Sequence, residues 1–310
     1  MGNNESIQSP SPDIELDNDL YQSDKNKFYE KRYNLVPSFK NNTYDIIDRK
    51  FPKFNMDNEL PDFVDLRKSF PDIIQVESLP FNPIACVSYL LEYSMLKNGL
   101  LVFPPSLLFI YKHCKFYQDI HDLISFETIF KAIRSKGFCI ENEFRTNKYN
   151  LINKEVSEEL LEKAQPYKFI KVYHVVNNID IIKRVLYNKY PILVGFSLYY
   201  KLTKVGNSMW TPNENIESNI GGVGGVLVGY IEDREVFIMA QTYGNNFGQN
   251  GYILIPYNYI TNKQYTFEMY VLDLDKKRIE GYLSQVQPLT TERTTEDDTE
   301  SIGFLSNLFR

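Results

Sequence analysis

The chain has 310 residues, 43% of them apolar and 24% charged, enough for one large core or two lobes without disulfide or metal staples. A net charge of −6 argues against nucleic acid as the main partner, because phosphate binding needs a basic face. The longest apolar stretch, 100–111, holds two prolines and is too short to span a bilayer, and the polar, acidic N-terminus is unlike a signal peptide, so a cytoplasmic protein with no membrane partner is expected.

Residues 1–28 are Asn/Ser/Asp-rich and are expected to be disordered. From about 84 to 165 the pattern is helical. Val87, Leu90, Leu91 and Met95 fall on one helical face. A second helix over Phe130–Lys136 is stopped by Gly137, and a third, Ser157–Ala164, carries Glu at its start and Lys near its end. From about 166 the chain turns to strands: Phe169–Val176, Pro191–Leu198, Gly222–Tyr230, Glu235–Ala240, Gly251–Ile255 and Phe267–Leu274. One helix, Ile179–Leu186, interrupts them and is capped by the Asn177-Asn178 pair. Helices followed by strands make an α+β protein of two lobes. Residues 281–310 are expected to form a disordered acidic, Thr-rich tail whose apolar ending, Ile302–Phe309, either frays or docks on a partner.

Cys86, Cys114 and Cys139 are too few and too scattered for a disulfide framework and read as free thiols. The histidines His113, His121 and His174 form no HxxxH spacing and the cysteines no CxxC, so neither metal nor cofactor is expected. The Gly221–Gly225 run lacks the Lys-Ser/Thr and the following helix of a phosphate loop, and reads as a strand that another backbone approaches closely. Asp119, Asp122 and Glu127 read as a solvated face, and His113 and His121, near helix ends, as surface or capping groups.

Seven segments carry a family resemblance. Leu60-Pro61-Asp62-Phe63-Val64-Asp65-Leu66-Arg67 resembles the opening of mature papain-like cysteine peptidases (peptidase C1 type), and Cys86 follows about 20 residues later, where their nucleophile begins a helix. Pro105-Ser106 with Leu107–Tyr111, and Lys136-Gly137-Phe138-Cys139, are similar to two further family segments. So are Lys189–Phe196, Gly221–Tyr230, and Gln241-Thr242-Tyr243-Gly244 with Phe247–Tyr252. Tyr33–Pro37 resembles an upstream arm of the bacterial and large-virus branch. Tyr243 and Phe247 stand where the family has two tryptophans and are expected to fill the same space.

The resemblance implies a papain-like fold: a helical lobe over 61–165, an antiparallel β-barrel lobe over 166–280, and a propeptide-like arm, 29–60, lying over the groove between them. It also implies four catalytic parts, a thiol at a helix N-terminus, a histidine base, an asparagine that orients it and an oxyanion glutamine. Cys86 takes the thiol position and Val223 the base position, and no histidine follows His174 to rescue it. Gln241 takes the asparagine position, and Pro80 the oxyanion position, or Gln75 if an insertion intervenes. Losing the base costs on the order of 10⁴-fold in such a site. Cys86 then reads as a small buried hydrophobe, a residual reactive thiol, or a nucleophile. The reading is an inactive homologue that binds a peptide or protein in the former substrate groove. Two alternatives are an active peptidase in which His113 or His121 serves as a non-standard base, and a structural component of a virion. The oligomeric state is not legible.

Overall fold

The computed structural model describes residues 34–38, 44–47, 54, 58–76, 81–115, 123–147, 151, 153–199 and 219–291. The helical half contains α1 (Asn82–Asn98), α2 (Leu107–Cys114), α3 (Phe126–Lys136) and α4 (Glu158–Ala164). The last three start at serines whose hydroxyls each accept from a backbone N–H three residues on: Ser106 from Phe109, Ser125 from Thr128 and Ser157 from Leu160. α1 has no side-chain cap; Pro83 occupies its first turn, where a missing N–H costs nothing. It is buried on nearly every side, so it is a central helix and not a surface one.

The strands β1 (Asp45–Ile47), β2 (Phe63–Asp65), β3 (Ile170–Val175), β4 (Ile192–Tyr199), β5 (Asn219–Ile231), β6 (Val236–Ala240), β7 (Tyr252–Pro256) and β8 (Thr266–Leu274) form one sheet in the order β1-β3-β8-β4-β5-β6-β7, with β2 also on β5. All these ladders are antiparallel except β1 on β3. β6 reads Val-Phe-Ile-Met-Ala and is buried throughout, because neighbours cover both its faces. Three helices accompany the strands: α5 (Ile179–Tyr187), capped by Asn178, α6 (Tyr257–Thr261) and α7 (Lys276–Thr291). The α+β architecture and the six main strands agree with the sequence reading.

Three expectations are corrected. α7 runs through residue 291, so the segment expected to be disordered from 281 begins as helix. β1 and β2 carry too few residues to show a period, and exist because β3 and β5 offer them open edges. Glu127 is buried, not solvated: the Tyr44 hydroxyl donates to its carboxylate and Lys131 pairs with it at 3.6 Å. Residues 1–28, His121, Asp119, Asp122 and the apolar ending 302–309 lie outside the described residues.

The lobes are joined by buried polar contacts between α1 and β8. Ser94 donates to Asp273 Oδ1 at 2.7 Å and accepts from the Leu274 N–H at 2.8 Å, while Asn98 donates to the same carboxylate oxygen at 2.8 Å. Ser94→Ala is therefore expected to lower unfolding free energy by about 1–3 kcal/mol, read from the urea midpoint at unchanged slope. A loss within experimental scatter would show that this junction contributes nothing net.

Candidate active site

The N-terminus of α1 points at the middle of β5. Asn82, 5% exposed, stands there as the first helical residue. Its Oδ1 accepts from the Gly224 N–H at 2.6 Å, and its Nδ2 donates to Gly224 O at 3.1 Å and to Thr242 Oγ1 at 2.9 Å. The ladder of β6 on β5 begins only at Val226, so the backbone edge of Gly224 is open on that side. The side-chain amide of Asn82 closes it, serving as a donor–acceptor pair in place of a neighbouring strand. A Cβ on Gly224 would lie 3.4 Å from Asn82 Oδ1 and 3.2 Å from the Cys86 sulfur, so only glycine leaves this approach comfortable.

Cys86 lies four residues further along, one helical turn inside α1 and 0% exposed. This corrects the expectation that Cys86 begins the helix: Pro83 starts the helix one turn earlier, and the terminal field falls on Asn82. Among the described residues the side-chain hydrogen bond to the Cys86 sulfur is a long one from Asn82 Nδ2 at 3.9 Å. Burial drives its thiol pKa well above the ordinary thiol range. His113, expected near the surface, is buried on α2, where its Nδ1 meets Phe109 O at 2.8 Å; burial lowers its pKa. His174 sits in β3 against the Tyr270 ring, with centroids 5.6 Å apart. Among the described residues the sulfur is met by the Asn82 amide and not by either imidazole.

Val223 is buried in β5 opposite Phe196 of β4. It shares a strand face with Gly225, whose absent Cβ would lie 2.9 Å from Gln241 Nε2. The valine and the glutamine thus lie toward one face, while Cys86, which meets the Cβ position of Gly224, lies toward the other, so the structure does not bring Val223 to the sulfur. Gln241 is held by its backbone: its N–H donates to Gly251 O at 2.9 Å and its carbonyl accepts from the Tyr89 hydroxyl at 3.2 Å. Its side-chain Nε2 is buried and has no hydrogen-bond partner among the described residues. Gln75 is exposed and bridges Tyr243, with Val76 N–H donating to Thr242 O at 2.9 Å, so this segment reaches the same turn. Pro80 lies outside the described residues. Tyr243 and Phe247 pack edge-on, centroids 4.9 Å apart.

The arm crosses between the lobes beside this site. Leu35 N–H donates to Gly222 O at 3.2 Å, Val36 N–H to Ile124 O at 2.9 Å, and Ile124 N–H to Asn34 O at 3.0 Å. Strand β5 and the residues that lead into α3 thereby hold one extended segment between them. A Cβ on Gly222 would lie 2.0 Å from Leu35 O, so the close approach read from the glycine run is that of the arm.

A central helix whose N-terminus abuts a mixed sheet, with an arm laid between the lobes, is the architecture of papain-like cysteine peptidases. The chain has that fold. It superposes on xylellain, a cysteine protease from Xylella fastidiosa, with TM-score 0.69 at 22% identity, over 80% of this chain and 97% of that one. Digestive procathepsin L 3 of Tenebrio molitor larval midgut matches with TM-score 0.60 at 14% identity, over 81% of this chain and 79% of that one. In sequence the chain is 26% identical over 202 residues to an uncharacterised peptidase C1-like protein of Acanthamoeba polyphaga mimivirus. That match spans 60% of this chain and 64% of the relative, less than two thirds of its length. No family model matches the chain.

The sequence reading did not single out Asn82, Gly224 or Thr242. Asn82 had a signal: the Asn-Pro dipeptide marks a helix start. Gly224 and Thr242 had none, because their role is set by what packs against them.

Proposed function

We propose that this chain is a catalytically inactive papain-like protein that acts by binding a peptide or protein in the interlobe groove, where its own arm is the resident occupant. One observation carries the proposal. The helix N-terminus, where this chemistry needs a thiol, holds an asparagine amide whose hydrogen-bonding atoms are committed to Gly224 and Thr242. The nearby sulfur is one turn deeper and sealed from solvent, and the family resemblance implies a valine, Val223, where the base would stand. A thiol must ionise to attack a carbonyl, and burial without a cation or imidazole opposes ionisation. The arm supports the binding half of the reading, since the groove already holds an extended backbone from both sides.

The test is incubation of the native protein with broad peptide substrates and a thiol-directed epoxide. No turnover and no labelling of Cys86 are expected from about pH 5 to 9, with labelling appearing only on unfolding. Stoichiometric labelling of native Cys86 together with turnover would defeat the proposal.

A further inference from the structure

A cavity of about 760 Å³ lies away from the helix N-terminus, between the arm (Pro37, Ser38, Tyr44), the end of β3 (His174 to Asn177) and β8 (Phe267, Glu268, Tyr270). Its volume is in the range of small-molecule sites. Glu268 forms part of its wall and is 7% exposed. One of its oxygens accepts from Ser38 N–H and from the Tyr270 hydroxyl, each at 3.1 Å. Its other oxygen, Oε1, is buried and has no hydrogen-bond partner among the described residues, and no ion pair to Glu268 is found among them either. Asn177 Oδ1, in the same lining, is a second buried oxygen without a partner there. A buried carboxylate without a counter-ion is costly; Glu127, also buried, has Lys131 and Tyr44.

We propose that this cavity binds an alkylammonium group, with Glu268 Oε1 and Asn177 Oδ1 accepting its N–H donors and the Tyr44, Phe267 and Tyr270 rings surrounding its methylenes. Both unpartnered atoms are acceptors, so the ligand must bring donors. One must meet a carboxylate, so a cation fits better than a neutral group. Aromatic walls favour an organic cation over a hydrated inorganic one. No group of three or more His, Cys, Asp or Glu able to hold a metal is found among the described residues. Burial raises the Glu268 pKa to about 7, so without a ligand the group is only about half ionised near neutrality and a bound ammonium holds it in the ionised, accepting form; the pKa of His174 is lowered, so the imidazole brings no competing charge. Lys263 also lines the cavity but is exposed, and its charge is screened at the rim. Because the arm supplies part of the wall, the site exists only with the arm in place. It does not depend on whether the chain hydrolyses peptides.

A free polyamine and a lysine side chain of a peptide present the same group. Calorimetric titration of the full chain with putrescine, with spermidine and with N-acetyl-lysine amide separates these sources, and 1,4-butanediol is the uncharged control. Binding of at least one amine with a dissociation constant of roughly 10⁻⁵–10⁻³ M is expected, with none for the diol. Tighter binding of the free amines assigns a polyamine; tighter binding of the lysine amide assigns a peptide side chain. Glu268→Gln keeps an oxygen for Ser38 and removes the charge, and should weaken amine binding at least about tenfold. If that variant does not fold, Asn177→Asp decides, with about tenfold tighter binding expected. No binding of any amine, diol binding as well as the amines, or an affinity unchanged in the deciding variant overturns the proposal.

Discussion

Asn82→Ala is expected to lower the free energy of unfolding by about 3 kcal/mol, more than any single truncation of an exposed residue in this chain. The substitution removes three hydrogen bonds at once: from Gly224 N–H, to Gly224 O and to Thr242 Oγ1. Each partner is buried or faces the buried helix terminus, and each group left unpaired costs about 1–3 kcal/mol, reduced where water enters the space. Helix propensity opposes the loss by only a few tenths of a kcal/mol, since alanine is the better helix former. Asn82→Asp should also destabilise. It keeps an acceptor for Gly224 N–H but sets a second oxygen against Gly224 O and buries a charge, which the helix dipole offsets only in part. Asn82→Cys, which restores a thiol at the helix terminus, loses the same bonds, so rebuilding the nucleophile costs stability. Urea titration of the three variants checks this; a loss below about 1 kcal/mol for Asn82→Ala would remove the structural role assigned here.

Gly222→Val is expected to release the arm while leaving the lobes folded. A Cβ there would meet Leu35 O at 2.0 Å and Leu35 C at 3.0 Å, contacts with backbone that no rotamer change relieves. The arm must move, and the Leu35 N–H to Gly222 O and Val36 N–H to Ile124 O bonds open with it. Hydrogen exchange at Leu35 and Val36 should accelerate by about 10²-fold or more, while the amides of β4 and β6 keep their protection. A synthetic peptide of residues 33–47 should not bind this variant, because the same Cβ excludes the peptide's Leu35 carbonyl from the groove. Unchanged exchange at Leu35 would show that the arm is not held at Gly222.

Much of the architecture was legible without coordinates. Ser157 and Asn178 mark their helix starts because capping is a local bond between residues three apart, whereas the helix capped by Ser125 begins four residues before the expected Phe130. The six main strands showed in runs of β-branched and aromatic residues. Counting from Gly229-Tyr230 puts Val223 within a strand, and the structure turns it to the sheet face away from Cys86, which the Cβ position of Gly224 meets instead. Cys86 was misplaced by one turn because the eye followed the thiol and not Pro83, whose preference for the first helical turn marks the start. Glu127 and His113 were read as surface groups, although each is buried in a helix whose partners come from elsewhere in the chain.

The sequence alone determined the order of the main elements and the absence of any histidine after His174, because these rest on composition and on patterns spanning a few residues. Only the tertiary structure decided that Asn82 holds the helix terminus, through bonds to residues 142 and 160 positions away. It alone placed the arm against Gly222 and left Glu268 without a counter-ion among the described residues. Hydrogen bonds between distant segments depend on how close folding brings two backbones, and no local preference encodes that distance.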